Sequence, residues 1–271
     1  MGKTFILGMG VQKSGTSWAY RLMAESPGFK QGFRKEYHVW DALDLPLLAK
    51  NRVKLKLDMN PVQRSRYLMQ TEPETYFAYF ASLLEGPKKN ITADMTPAHS
   101  GLSRKSLATI RDGFARRNIT CKAVLLLRDP IERCKSAVHF NLNRGKFSEG
   151  ISPENTSFCA ALNEYYQSDH AEIRTRYDRT IENINAVFTP ENYYIGLYES
   201  MFEKEKIAQF SAFLGVESRA AFAGTKVNET AGQRQSCPEV EAALYARFAG
   251  VYAYCHAALP ETKTLWRLPP A

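Results

Sequence analysis

The sequence predicts an α/β fold in which a central parallel sheet is flanked by helices on both faces. Short apolar segments typical of buried strands alternate with longer segments of helical periodicity, the pattern of strand–helix–strand units. A glycine-containing loop also joins the first strand to the first helix, as in three-layer folds of the P-loop type. The chain has 271 residues, a length that suits one large α/β unit. We predict a single domain over residues 1–271.

Four segments have the apolar character of buried strands. They lie at residues 4–9, 90–94, 121–127 and 193–198. The segment 121–127 predicts its strand most clearly, because its second half is an unbroken aliphatic run.

Seven segments are predicted to be helices from apolar positions that recur every three or four residues and from capping residues. They span residues 17–25, 74–84, 103–117, 130–143, 173–188, 202–214 and 238–259. The helix at 130 is the best marked, because Asp129 is an N-cap residue and Pro130 suits the first helical position. Gly215 is expected to end the helix at residues 202–214.

The composition is that of a folded globular protein. Apolar residues make up 44% and charged residues 24% of the chain, which excludes a disordered chain, a collagen-like fibre and a coiled coil. No run approaches the roughly 18 apolar residues of a membrane span. The 36 basic and 28 acidic residues give a net charge of +8. That charge suits an anionic ligand, although solubility alone also accounts for it.

The cysteines and the first residues predict a reduced, cytoplasmic protein. Five cysteines are an odd number, and they form neither a CxxC pair nor a metal-ligand spacing. We therefore expect no disulfide framework, and the one pairing considered is Cys237 with Cys255. The first ten residues lead directly into an apolar strand and lack the pattern of a secretion signal.

The loop at residues 10–17 is a candidate phosphate site. Gly10 and Gly15 have the spacing of a Walker A loop, but Thr16 stands where that motif has lysine, and Lys13 comes earlier. No strand ends in a convincing magnesium-binding aspartate. Loop amides and a helix N-terminus together bind anions, and Lys13 could neutralise a leaving group in a transfer without metal. The alternative is a glycine turn with a solvated lysine.

Three further segments carry a resemblance to a known family. They read Lys35-Glu36-Tyr37-His38-Val39-Trp40-Asp41, Asp94-Met95-Thr96-Pro97-Ala98-His99 and Arg128-Asp129-Pro130-Ile131-Glu132-Arg133-Cys134-Lys135-Ser136-Ala137. With the loop, they resemble the sulfotransferases that use 3′-phosphoadenosine 5′-phosphosulfate (PAPS). The first segment is similar to the K-E-x-H-F-F-D string of the heparan sulfate 3-O- and N-sulfotransferase branch, and Thr96-Pro97 to its E-K-T-P segment. The resemblance covers most of the chain in order.

The resemblance implies a set of donor-binding residues. The loop would bind the 5′-phosphosulfate, Arg128 and Ser136 the 3′-phosphate, and a later loop would close over the nucleotide. The residues implied are Lys13, Ser14, Gly15, Thr16, Ser17, Arg128, Ser136, Gly232 and Arg234. The last two match by position and type only. The product would be 3′,5′-ADP, and no metal is expected.

The same resemblance implies in-line transfer of a sulfuryl group to a hydroxyl or amine. Glu36 matches the catalytic base of the branch, and His38 is the rival base because an ordinary imidazole pKa near 6.5 suits the task. On an extended segment both would face the same side. Lys13 would stabilise the leaving group, and Lys35 would help to position donor or acceptor.

The acceptor stays open at this stage. Met95 replaces a lysine that the polysaccharide enzymes place near substrate, and residues 42–72 are a possible acceptor-side insertion. A carbohydrate is favoured, with a small alcohol or a protein tyrosine as alternatives; neither nucleic acid nor a membrane span is expected. The alternative functions are a P-loop nucleotide kinase and, third, a non-catalytic polyanion-binding protein.

Overall fold

Four parallel strands form the central sheet of the computed structural model, which describes residues 2–86, 88, 90–145, 147–218, 220–222 and 235–266. The strands are β1 (Lys3–Gly8), β2 (Ile91–Asp94), β3 (Ile119–Leu127) and β4 (Tyr193–Leu197). Their order in the sheet is β2-β1-β3-β4. Residue Phe5 pairs with Thr92 on one side and Cys121 on the other, and Leu125 pairs with Ile195. All four predicted strands are present.

Helices cover both faces of this sheet. In chain order they are α1 (Thr16–Ala24), α2 (Trp40–Asp44), α3 (Pro61–Thr71), α4 (Pro73–Leu83), α5 (Arg104–Ala115), α6 (Pro130–Leu142), α7 (Phe158–Gln167), α8 (Asp169–Thr175), α9 (Tyr177–Val187), α10 (Lys204–Leu214), α11 (Pro238–Ala258) and α12 (Thr262–Leu265). Short 3₁₀ turns occupy Pro46–Asn51, Pro97–Gly101, Pro190–Asn192 and Ala220–Phe222.

Side chains of alternate strand residues pack into two separate apolar cores. Phe5 and Leu125 point into the core that contains the buried side chains of α4, α5, α9 and α11. Ile6 and Leu126, their neighbours in sequence, point into the core built with α1 and α10, where Trp18 is buried. Because successive strand residues face opposite sides of a sheet, this alternation requires a layer of helices on each face. The α/β class predicted from the sequence is confirmed.

One predicted helix is two helices in the structure. The recurrence through residues 173–188 predicted a single amphipathic helix, but α8 ends at Thr175 and α9 begins at Tyr177. Arg176 between them has ψ of 64°, outside the helical range. Its guanidinium is held by Asp178, with Nε 2.9 Å from Oδ1. A single non-helical residue leaves the apolar spacing almost unchanged, so periodicity could not reveal the break.

The expectation of no disulfide is wrong for this structure. Cys159 and Cys237 form one, with their Cα atoms 5.7 Å apart, across 78 residues of sequence. Cys255 is a buried free thiol on α11, so it is not the partner of Cys237. Disulfide connectivity is a property of the tertiary fold and cannot be deduced from cysteine spacing.

Among the described residues, none of the helices combines the length and the apolar character that a membrane span needs.

Candidate active site

The loop between β1 and α1 has the backbone of an anion-binding turn. Gly15 precedes α1 with φ of 85°, and Gly10 has φ of 86°, a region that residues with a Cβ rarely adopt. A Cβ on Gly15 would lie 2.7 Å from the sulfur of Met201, and one on Gly10 would collide with the carbonyl of Pro97. Glycine is therefore needed at both positions for the chain to turn here.

The N-terminus of α1 is open to an anion. In the described part of the chain no side chain caps α1 and no acid lies in its first turn, so its first amides are available. The Ser14 hydroxyl and the Gln12 side-chain oxygen are buried without a partner. By contrast, Asp129 caps α6, accepting from the Ile131 amide at 2.8 Å. An orphaned buried hydroxyl beside uncapped amides fits a phosphate group.

Lys13 extends from this loop toward the end of α6. Its Nζ lies 4.3 Å from the centre of the Phe140 ring. Burial, with the nearby charges of Arg128 and Arg144, lowers the pKa of Lys13 to about 8. The residues the structure describes place no carboxylate in an ion pair with it. A partly buried cation of lowered pKa is one that an anionic ligand would stabilise.

Arg128, which the resemblance implies as a ligand of the 3′-phosphate, contacts the same loop. Its NH1 donates to the Lys13 carbonyl at 3.2 Å, and its guanidinium lies 4.5 Å from the centre of the Tyr198 ring. Glu132 Oε2 is 3.8 Å from NH2. Ser136 lies one helical turn beyond Glu132 on α6. Gly232 and Arg234 lie outside the described residues.

Lys35 joins the loop to the segment that carries Glu36. Its Nζ donates to the Thr16 hydroxyl at 3.1 Å, to the Ser17 hydroxyl at 3.0 Å and to Glu36 Oε1 at 3.0 Å. Burial alone would raise the pKa of Glu36, but the adjacent His38 ring and the hydrogen-bonded, charged Lys35 outweigh it, and the pKa is lowered. Glu36 is therefore a carboxylate at neutral pH, close to the open helix end.

His38 is sandwiched between two carboxylates. Its Nδ1 is 2.8 Å from Asp41 Oδ2, and its Nε2 is 3.7 Å from Glu36 Oε2. Burial opposes the charged ring, but the hydrogen bond with Asp41 and the nearby Glu36 carboxylate prevail and raise the pKa of His38 to about 9. The ring is thus protonated at neutral pH, unlike the near-neutral imidazole expected from the sequence. The segment is not fully extended either, because His38 has φ of 53°.

Side chains distant in sequence hold the backbone of this segment in place. The Thr96 hydroxyl accepts from the Tyr37 amide at 2.9 Å and donates to Asp94 Oδ1 at 2.6 Å. From α3, Gln70 Nε2 donates to the His38 carbonyl at 2.6 Å and Arg66 Nε to the Tyr37 carbonyl at 2.7 Å. The Thr96-Pro97 pattern marked one of these supports in the sequence. Arg66 and Gln70 carried no local signal in the sequence.

If 3′,5′-ADP binds at Lys13, as the resemblance implies, the lowered pKa of Lys13 sets how its affinity depends on pH. Lys13 loses its proton as the pH rises through about 8, so affinity for 3′,5′-ADP should decrease by up to about tenfold per pH unit above that value. Titration calorimetry between pH 7 and 9.5 would measure this, since phosphates are already dianionic there. A Lys13→Met variant should have a flat profile. A flat profile in the unaltered protein would contradict the prediction.

No group of three or more metal-ligating side chains occurs among the described residues. The site consists of the open N-terminus of α1, the cations Lys13, Lys35 and Arg128, and the side chains of Glu36, His38 and Asp41.

Comparison with known proteins gives a family match. A family model described as the sulfotransferase domain matches residues 3–237. A sulfotransferase from Alicyclobacillus acidocaldarius is 19% identical, covering 96% of this chain and 97% of its own, with a TM-score of 0.63. The sulfotransferase domain from the curacin biosynthetic pathway is 16% identical, covering 85% and 80%, with a TM-score of 0.51. At such identities the two structures show a shared fold. No curated protein matches the chain.

Proposed function

Because this chain belongs to the sulfotransferase domain family, we propose that it transfers a sulfuryl group from PAPS to an acceptor hydroxyl or amine with Glu36 as the base. Residues 1–271 act as one domain in this proposal. The observation that carries it is the contact of Lys35 with both Ser17 and Glu36. That contact brings a carboxylate to the helix end where the donor's phosphosulfate would bind.

The loop and α6 hold the donor in this proposal. The amides of Gly15, Thr16 and Ser17 and the unpartnered Ser14 hydroxyl bind the 5′-phosphosulfate. Arg128 binds the 3′-phosphate, because a guanidinium can donate two parallel hydrogen bonds to one phosphate. Ser136 supports the same phosphate, and Gly232 and Arg234 contribute from a segment outside the described residues. No residue is assigned to a metal.

Glu36, rather than His38, takes the acceptor's proton. An ionised carboxylate only accepts hydrogen bonds, whereas His38, with a pKa of about 9, is already protonated at neutral pH. As the acceptor oxygen bonds to sulfur, the bond from sulfur to the donor's bridging oxygen breaks, and Lys13 neutralises the charge left on that oxygen. His38 and Asp41 keep Glu36 ionised and oriented.

The insertion at residues 42–72 has a supporting role in the proposal. Arg66 and Gln70 bind the carbonyls of Tyr37 and His38, respectively, so the insertion sets the position of the base. In this proposal it lines the acceptor side of the site. The pattern Glu36-x-His38-x-x-Asp41 favours a carbohydrate acceptor, as in the heparan sulfate branch, with small alcohols and protein tyrosine as the alternatives.

The test is a labelled-sulfate transfer screen with PAPS across carbohydrate, phenol, alcohol and tyrosine-peptide acceptors, without added metal. We expect transfer to at least one class and protection from thermal unfolding by 3′,5′-ADP. Turnover of ATP with magnesium, and no protection by 3′,5′-ADP, would favour the kinase alternative. Steeply salt-dependent binding of nucleic acid without transfer would favour the polyanion-binding alternative.

A further inference from the structure

A second cation shares the ring that Lys13 contacts. The Arg144 guanidinium lies 4.1 Å from the centre of Phe140, and Lys13 Nζ lies 4.3 Å from the same centre. The two charges are close enough for Arg144 to contribute to the lowered pKa of Lys13. Two like charges held beside one ring repel each other, and an anion between them would remove that cost.

The protein itself offers Arg144 no counter-charge in the described residues. Glu149, the next acid along the chain, is already bound by Arg174 through two hydrogen bonds of 2.7 and 2.6 Å. The Asn141 amide also donates to Glu149, at 3.4 Å. Arg144 is exposed, so it is accessible to a ligand from solution.

Arg128, the cation assigned to the donor's 3′-phosphate, lies at the other end of α6. Arg128 lies two residues before the first residue of α6, and Arg144 lies two residues after its last. The helix has 13 residues, so its ends are roughly 20 Å apart. Ser136 and then Phe140, with Lys13 over its ring, come between them. Arg144 therefore lies beyond Lys13, on the side away from the 3′-phosphate site.

We propose that Arg144 binds an anionic group of the acceptor, so that the substrate is a hydroxyl compound carrying a carboxylate, phosphate or sulfate near its reacting oxygen. This inference rests on the proposed function. Lys13 serves the leaving oxygen and Arg144 the acceptor's fixed charge, and both cations lie beside the Phe140 ring. A guanidinium suits such an oxyanion through bidentate hydrogen bonds.

The test measures binding of matched compounds to the complex with 3′,5′-ADP by titration calorimetry. One pair is 4-nitrophenyl β-D-glucuronide and the corresponding glucoside, and the other is 4-hydroxyphenylpropionate and its amide. In at least one pair we expect the anion to bind about 10- to 100-fold more tightly than its neutral partner, the range of a charge-assisted hydrogen bond. The pair that shows this preference also distinguishes a sugar from a phenol acceptor.

At pH 7, where Lys13 is protonated with or without Arg144, Arg144→Gln should abolish the preference and leave the Kd of 3′,5′-ADP unchanged. The control Arg179→Gln, which alters an exposed arginine on α9, should retain the preference. Equal or absent binding within both pairs would overturn the inference. Weaker 3′,5′-ADP binding by Arg144→Gln would also overturn it, by assigning Arg144 to the donor. If the unaltered protein does not bind 3′,5′-ADP, the proposed function fails, and this inference fails with it.

Discussion

Glu36→Gln is expected to lower kcat by about 10²–10⁴, the usual contribution of a general base, while 3′,5′-ADP binds as before. Glutamine has nearly the shape of glutamate but cannot take a proton at neutral pH. The loop retains Lys35, whose hydrogen bonds to the Thr16 and Ser17 hydroxyls do not involve Glu36. This variant should therefore bind the donor normally but lose the proton transfer.

Single-turnover transfer of labelled sulfate from PAPS measures the chemical step without product release. The matched control is Glu182→Gln, which removes an exposed carboxylate from α9 and should leave kcat unchanged. Retention of most of the activity by Glu36→Gln would show that Glu36 is not the base and would favour His38. A loss of 3′,5′-ADP binding would instead indicate that the variant disturbs the loop.

The pH dependence of kcat/KM gives a second, independent test of the same assignment. The pKa of Glu36 is lowered, so the rise of activity with pH should occur below the pH at which an ordinary carboxyl group titrates. It should decrease again as Lys13 and His38 lose their protons near pH 8 and 9. A base with the pKa of His38 would give the reverse: activity rising toward pH 9.

The sequence predicted those features that depend on local patterns. Apolar runs located the strands, because a strand buried on both faces contains little else. Gly10, Gly15 and Lys13 identified the loop, because a turn of this kind constrains which residues fit. The Asp129-Pro130 pair located the start of α6 by its capping chemistry. Each of these signals lies within a few residues of the feature it predicts.

The remaining features depend on contacts between distant parts of the chain. The hydrogen bond from Gln70 to the His38 carbonyl joins positions 32 apart, and that from the Tyr37 amide to Thr96 joins positions 59 apart. No local pattern marks such a pair. The protonated state of His38 was missed for a related reason: a pKa depends on the burial and charges around the ring, and Asp41 and Glu36 surround it only in the folded segment.

Lys13→Met is expected to lower kcat by about 10²–10³, or about 2.7–4 kcal/mol of transition-state stabilisation. Methionine has a similar length and removes only the charge. In the proposed reaction, negative charge develops on the bridging oxygen as the bond to sulfur breaks, and Lys13 is the cation that the loop directs toward the end of α6. Initial rates with saturating PAPS measure the effect on kcat.

The same substitution should not destabilise the protein, and this distinguishes loss of a charge from loss of the fold. Lys13 is a partly buried cation near Arg128 and Arg144, so removing it relieves both its desolvation and the repulsion between like charges. The melting temperature without ligand should therefore be unchanged or higher, whereas protection by 3′,5′-ADP should decrease. Lys105→Met, at an exposed position on α5, is the control and should alter neither property.

An unchanged kcat in Lys13→Met would exclude Lys13 as the group that stabilises the leaving oxygen. A marked decrease in melting temperature would mean that the loop requires Lys13 for folding, and the kinetic loss could not then be assigned to charge.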